Sequence, residues 1–403
     1  MSANQQDLYL LDPKTLEFQA TVVETLHLSD GRLGVILDRS YFYPTGGGQE
    51  HDIGILGEAQ VIDVVKQGEP PVLVHVVDRP LPSGTVSAKI DADRRLRHMQ
   101  HHTAQHLLTQ CFVQLFSLDT LSANINGYSP STLDLPGAAP SKEQLTQAEI
   151  LANQLIYEDR PVHSYFVTPA ELEKLPLRRA PKVDEDIRIV EIQGFDYTPC
   201  GGTHCTSTGQ IGILKIIKTE KQNERTRVHF VAGWQALQLF QFSFDTASGL
   251  AAELSISMQD LSASVLRQAE QLQQDHKELQ AMRLEKINWE AEHLAASAET
   301  IAGRRVTFAS YTARPVNELR LLGSELAKQP ALISILASMD GQKLSLVVAC
   351  GDGSGLAARD LLAKLLAPFG GRGGGDGRLA QGGAASESTS DLEQQVREIL
   401  ARA

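Results

Sequence analysis

RRLRHMQHHTAQHLLTQ, residues 94–110, reads as the opening of a helix that carries His102 and His106 four positions apart. Residues at that spacing lie on one helix face, a turn apart, so two imidazoles can reach one ion. Far downstream, PCGGTHC (199–205) repeats the spacing with Cys200 and His204. Gly201 and Gly202 between them disfavour a helix and predict a tight loop. Either pair alone is a weak signal. Together they offer imidazole nitrogens and a thiolate, a set that suits tetrahedral zinc. The order His, His, then Cys, His predicts two distant segments folded against each other. Cys205 follows His204 directly and reads as a spare thiol, because adjacent residues rarely share one metal.

Working outward, residues 16–90 hold short β-rich runs separated by Pro, Gly and Asp turns, which predicts a small β-barrel. Within it, YFYPTGGGQEHDIG (41–54) places Gly46, Gly47 and Gly48 between Thr45 and Gln49. Consecutive glycines allow close backbone approach, so this is either a hairpin tip or one wall of a pocket. Beyond the histidine helix, residues 118–233 alternate helices with strand pairs, an α+β layer. Residues 141–159 carry a capping signature at Ser141. From residue 234 the chain turns rich in Leu, Ala, Gln and Glu. Leu254, Met258, Leu261, Val265, Leu272, Leu279 and Met282 predict one long helix with an apolar seam, a spacer or dimerisation stalk. Residues 304–369 read β, α, β, β, α. GGRGGGDGRLAQGGA (370–384) reads either as a linker or as a phosphate-contacting segment through Arg372 and Arg378, with a last helix from about Thr389.

The expected class is therefore α+β and multidomain. A barrel with its Gly-rich loop spans 1–90, a zinc-binding α+β domain 91–233, a helical stalk 234–303 and a C-terminal α/β domain 304–403. The 403 residues suffice for such cores, and 42% hydrophobic composition excludes a disordered chain. A net charge of −12 argues against indiscriminate coating of nucleic acid, though not against a local basic groove. Four scattered cysteines exclude a disulfide framework and suit a reducing, cytoplasmic setting. The start of the chain predicts no signal peptide, and no apolar run approaches a membrane span.

HTAQHLL, CGGTH and the PTGGGQ loop followed by DIG resemble the editing domain of alanyl-tRNA synthetases and of the freestanding AlaX editing proteins. GGRGGGDGRLAQGGA is similar to the glycine-rich signature of the DHH-associated C-terminal domain. The resemblance covers nearly the whole chain, without a counterpart of the synthetase's aminoacylating half, and so implies a long-form AlaX.

That resemblance implies a site and a reaction. Zn2+ would be held by His102, His106, Cys200 and His204, although His98 and His101 crowd the first motif. Cys205 replaces the usual aliphatic residue. Gln49 and Thr45 would be the catalytic pair, Thr45 sensing a serine hydroxyl. Gly46, Gly47, Gly48, Arg372 and Arg378 would bind substrate. The reaction would be hydrolysis of mischarged Ser-tRNA(Ala), and of Gly-tRNA(Ala) with poorer discrimination. Zinc would be a scaffold if all four ligands bind, or keep an open position if one is loose. The partners would be the acceptor end and elbow of tRNA(Ala), no membrane, and a second copy through the stalk or C-terminal domain. RNA contacts are expected from Arg94, Arg95, Arg97, Arg178, Arg179, Lys182, Lys215, Lys218, Lys221, Arg225 and Arg227 besides the tail arginines. The alternatives are an editing hydrolase of the threonyl type and a non-catalytic zinc-containing RNA-binding protein.

Overall fold

A computed structural model describes residues 6–180, 187–385 and 392–401. The chain divides into two compact units, Met1–Ser255 and Ile256–Ala403.

The first unit opens with a closed barrel of six strands. Around the barrel they run Glu17–His27, Leu33–Leu37, Val72–Val77, Ala59–Gln67, Gly54–Leu56 and Gly84–Ile90. Alternating residues such as Leu56, Val61, Val64 and Leu73 point inward and are fully buried, as a closed barrel with no free edge requires. The glycine-rich loop leaves this barrel between Arg39–Ser40 and Gly54–Leu56.

Helix α1, Ala92–Phe116, follows at once. Asp91 caps it by accepting from the Arg94 amide, and Ser117 ends it in the left-handed region at φ 56°. The helix is buried from His98 through Thr109 on nearly every side. A four-stranded sheet packs on it in the order Leu214–Gln222, Arg225–Ala232, Ser131–Pro136, Ser122–Asn124. Leu107, Leu108 and Phe112 of α1 join Leu133, Leu135, Val228 and Phe230 of that sheet in one core. Helix α2, Lys142–Tyr157, covers the same core and starts with the predicted capping box between Ser141 and Gln144. A three-stranded sheet, Val162–Val167, Ile187–Ile192 and Asp196–Pro199, delivers the chain to Cys200. Helix α3, Pro169–Leu172, is a single capped turn.

The predicted stalk is not one helix. Helix α4 runs Gly233–Glu253 and α5 runs Leu261–Ala296. The break has a local cause. Ser255 takes a positive φ of 54°, and the Ser257 hydroxyl accepts from the Asp260 amide, a fresh helix start inside an otherwise helical composition. The apolar seam of α5 is exposed at Val265, Leu272, Leu279 and Met282.

In the second unit, Ile287, Ala291 and Ala295 of α5 pack with Leu319, Leu322 and Leu326 of α6, Val316–Leu326. Glu290 pins that end through Arg314 Nη1 at 2.7 Å and Nη2 at 2.8 Å. The six-stranded sheet runs Glu299–Ile301, Arg304–Thr312, Leu332–Asp340, Lys343–Cys350, Leu379–Ala385, Arg372–Gly375. Leu332 and Leu336 pack with α5 and α6. Ile333, Ile335 and Ala337 pack with α7, Ala358–Leu366, and α8, Leu392–Ala401. Cover on both faces explains why LISILA, 332–337, is apolar on both sides of the strand apart from the buried Ser334. Thr389, the expected start of the last helix, lies outside the described residues.

The glycine-rich tail corrects the linker reading. It forms the hairpin Arg372–Gly375 with Leu379–Ala385 at the sheet edge. Helix α7 lies close over it. A Cβ on Gly382 would sit 2.5 Å from Leu366 Cδ1 and 2.8 Å from the Arg372 carbonyl. Glycine there is a packing requirement rather than a source of flexibility.

Candidate metal centre and cavity

The four residues singled out by spacing converge. One ligand atom from each of His102, His106, Cys200 and His204 lies within 4.8 Å of all the others. Cys200 Sγ is 3.4 Å from His102 Nε2 and 3.4 Å from His204 Nε2. Tetrahedral zinc with ordinary bond lengths has ligand–ligand edges of roughly 3.3–3.8 Å, so the two sulfur–nitrogen edges already match such an ion. Burial would push the Cys200 thiol up, but His102, His204 and His106 outweigh it and hold it well below its ordinary range. Burial first, and then His102, push His204 down. A thiol driven toward thiolate beside a neutral imidazole is the protonation state that a metal ion needs.

The rings are oriented from behind. His102 Nδ1 is 2.7 Å from Gln49 Oε1. His204 Nδ1 is 3.3 Å from Thr103 Oγ1. His106 Nδ1 meets Asp196 Oδ2 at 3.4 Å, an ion-pair contact longer than a good hydrogen bond. Asp196 is held in turn by Arg178 Nε at 3.0 Å. Each acceptor favours the proton on Nδ1 and leaves Nε2 free to ligate, the arrangement seen behind metal-bound histidines. The sequence does not point to Asp196, Thr103 and Arg178 in this role, nor to Thr203, whose amide and hydroxyl hold Gln49. The two threonines stand inside the quoted motifs, HTAQH and CGGTH. Asp196 gives no local signal.

The neighbouring histidines are turned elsewhere. His101 Nδ1 faces Ser131 Oγ at 2.7 Å and Nε2 accepts from the Ala232 amide, so it buttresses the sheet. His98 is buried with no partner on either nitrogen, and burial pushes it down to about 3. Cys205 is 1% exposed and burial pushes its thiol up to about 12, which makes it inert.

Beside the cluster lies a cavity of about 640 Å³, lined among others by Gly47, Gly48, His102, Gln105, His106, Arg188 and Cys200. That volume suits a ligand much larger than an amino acid alone. The glycine loop closes against residues 123–125. Ile125 N donates to the Gly48 carbonyl, and a Cβ on Gly48, at φ +85°, would lie 2.5 Å from the Ala123 carbonyl oxygen. Gly202 is equally constrained, since its Cβ would fall 2.1 Å from His102 Cε1. Gly46 exchanges two backbone hydrogen bonds with Gln49. Thr45 is exposed, its hydroxyl 3.0 Å from His51 Nδ1. Neither Thr45 nor Gln49 belongs to the cavity lining. Arg372 and Arg378 belong to the second unit.

The three arginines at the start of α1 are neither a solvated face nor an anion site. Arg95 is 1% exposed and paired with Asp52, 0% exposed. It also donates to the Pro13 carbonyl. Arg94 bonds the His51 carbonyl and Glu50, and Arg97 bonds Asp93. Most of the other expected RNA cations are paired as well. Arg225 and Arg227 meet Asp134, Lys215 meets Glu149 and Lys218 meets Glu220. Lys182 lies outside the described residues. Among those residues, no helix is long and apolar enough to cross a membrane.

Residues 187–227 match the family model described as the threonyl and alanyl tRNA synthetase second additional domain. The chain is 33% identical to an alanine–tRNA ligase of Methanopyrus kandleri over 411 residues, 97% of this chain and 44% of the ligase. It is 32% identical to that of Archaeoglobus fulgidus over 409 residues, 98% of this chain and 44% of the ligase. The chain thus spans less than half the length of these relatives. Among solved structures, the C-Ala domain of Aquifex aeolicus alanyl-tRNA synthetase aligns with 26% of this chain and 98% of its own, at 23% identity and TM-score 0.25. Over nearly its whole length this chain is therefore similar to the part of the alanine–tRNA ligases that it spans, and the match to the second additional domain takes in Cys200 and His204.

Proposed function

We propose that the protein is a trans-editing hydrolase of the AlaX type, acting in the cytoplasm, which removes serine, and less selectively glycine, from mischarged tRNA(Ala). The observation that carries this reading is the His102–His106–Cys200–His204 cluster, its three histidines buried and Cys200 partly so, opening on a nucleotide-sized cavity. Zinc held by all four residues would be a closed scaffold that fixes the loop and the helix, and it would supply a Lewis acid beside the ester only with one of the four ligands released. The chain does the rest by positioning. An aminoacyl ester is activated, so holding its carbonyl and a water in register accounts for much of the rate. Gly47 and Gly48 of the glycine-rich loop form part of one wall. The backbone at Gly47 and Gly48 is free of side chains and admits the aminoacyl end closely. Thr45 is the residue we assign to the serine hydroxyl, which it would meet by turning from His51 toward the cavity that it does not line in this structure. A site built to pair with a hydroxyl disfavours an analogue lacking it by on the order of 10⁴ in good cases, whereas one methyl gives only about 1–3 kcal/mol. Serine is therefore the better discriminated substrate.

The deciding assay is deacylation of Ser-tRNA(Ala), Gly-tRNA(Ala) and Ala-tRNA(Ala), with and without a chelator. The expected result is chelator-sensitive hydrolysis of the first, with Ala-tRNA(Ala) spared. Equal rates on Ser- and Ala-tRNA(Ala) would reject the serine assignment. Turnover of a threonyl-type substrate instead, or binding without turnover, would replace the reading by one of its alternatives.

Arg372 and Arg378 are proposed to hold the tRNA elbow. Replacing both with alanine is expected to weaken tRNA binding and to reduce the slope of log K against log salt by about 1–2. Unchanged binding across a salt series would remove the hairpin from the RNA surface. The exposed seam of α5 is the surface we assign to a second copy.

A further inference from the structure

We propose that Gln49 is a positioning residue, acting on the metal through His102 and making no contact with the substrate. This rests on reading the His102 cluster as a metal site. Gln49 is 1% exposed and absent from the cavity wall. Its amide is consumed by the protein. Oε1 lies 2.7 Å from His102 Nδ1 and also accepts from Thr203 N at 3.3 Å. Nε2 donates to Thr203 Oγ1 at 2.9 Å.

These contacts determine the amide's orientation. A backbone N–H can only donate, so the atom facing Thr203 N is the oxygen. The same oxygen faces His102 Nδ1, which must then carry the proton. The Nε2 lone pair of His102 is thereby left toward Cys200 Sγ, 3.4 Å away. Gln49 thus selects the ligating tautomer of one histidine. Through Thr203, it also fastens that histidine to the loop bearing Cys200 and His204. Its contact is the shortest of the three behind the histidines, against 3.3 Å for Thr103 and 3.4 Å for Asp196. Nor is the position free to adapt. Gly202 packs so closely that a Cβ there would lie 3.2 Å from Gln49 Oε1.

The test compares Gln49→Leu and Gln49→Glu with the unaltered full chain. Metal affinity is measured by competition with a chromophoric chelator, and the ligand field by the visible spectrum of the Co2+-loaded protein. KM and kcat are measured for Ser-tRNA(Ala). The leucine variant removes the acceptor and is expected to lower metal affinity about 10–100-fold. It is also expected to shift the cobalt bands and to lower kcat at limiting zinc, with KM unchanged and with recovery in excess zinc. The glutamate variant keeps an acceptor behind His102 and is expected to regain most of the affinity. Unaltered affinity and cobalt bands in Gln49→Leu, with a raised KM, would overturn the proposal and make Gln49 a substrate contact. Loss of affinity in both variants alike would overturn it too, by showing that the acceptor is not what matters. If the unaltered chain binds metal but does not deacylate, the hydrolase reading falls while the affinity and spectral comparison still decides the role of Gln49. An unaltered chain that takes up neither zinc nor cobalt overturns both.

Discussion

Cys200→Ser is expected to abolish tight metal binding and to lower Ser-tRNA(Ala) deacylation by more than about 100-fold, beyond the 10–100-fold typical of losing a partner behind a ligand. The sulfur lies 3.4 Å from the Nε2 atoms of both His102 and His204. It is the one donor that brings negative charge to a site otherwise made of imidazoles. A hydroxyl in its place is a far weaker zinc ligand at neutral pH, because it stays protonated. Metal content of the purified protein, set beside the deacylation rate, checks this. His101→Ala serves as a control and should retain metal, since its ring is engaged by Ser131 and the Ala232 amide, away from the cluster. Full metal occupancy in Cys200→Ser would show that the cluster is not the binding site.

Arg95→Met is expected to cost about 3–5 kcal/mol of stability, the range for stranding one partner of a buried ion pair. Arg95 Nε lies 3.2 and 3.0 Å from the two Asp52 oxygens, and Nη1 lies 2.6 Å from the Pro13 carbonyl. Asp52 keeps one partner without it, the Tyr43 amide at 2.7 Å, which is too little for a fully buried carboxylate. The pair joins the start of α1 to the strand-and-loop segment that carries Gln49. Loosening it should therefore release zinc at lower denaturant as well. Urea unfolding followed by circular dichroism and by zinc release measures both. Arg95→Met together with Asp52→Leu should be less destabilised than Arg95→Met alone, since no charge is left unpaired. Wild-type stability in Arg95→Met would mean that the pair contributes nothing net.

Much of the element order is legible in the sequence because it rests on local periodicity. The strand alternation of 16–90, the capping box at Ser141 and the β, α, β, β, α run after residue 304 are short-range patterns, and each appears in the structure. The stalk departs from its sequence pattern because Leu, Ala and Gln favour helix on both sides of Ser255–Asp260. A short capping signal prevails there over composition. The tail departs from the linker reading because glycine has two opposite uses. At Gly382 it admits Leu366 of α7 against a strand, rather than loosening a linker.

For the site, sequence alone determined two candidate pairs, His102 with His106 and Cys200 with His204, since i, i+4 spacing is a property of the local backbone, whereas their convergence on one point is tertiary. Only the tertiary structure decided what stands behind them. Asp196 comes to His106, and Gln49 to His102, from strands and loops far away in the chain. Their partnership depends on how sheets and barrel pack, and no local pattern encodes it. The same holds for Arg95. Its charge, in a row of three arginines, looks free in the sequence, and it becomes a buried tie because the fold brings Asp52 beneath it.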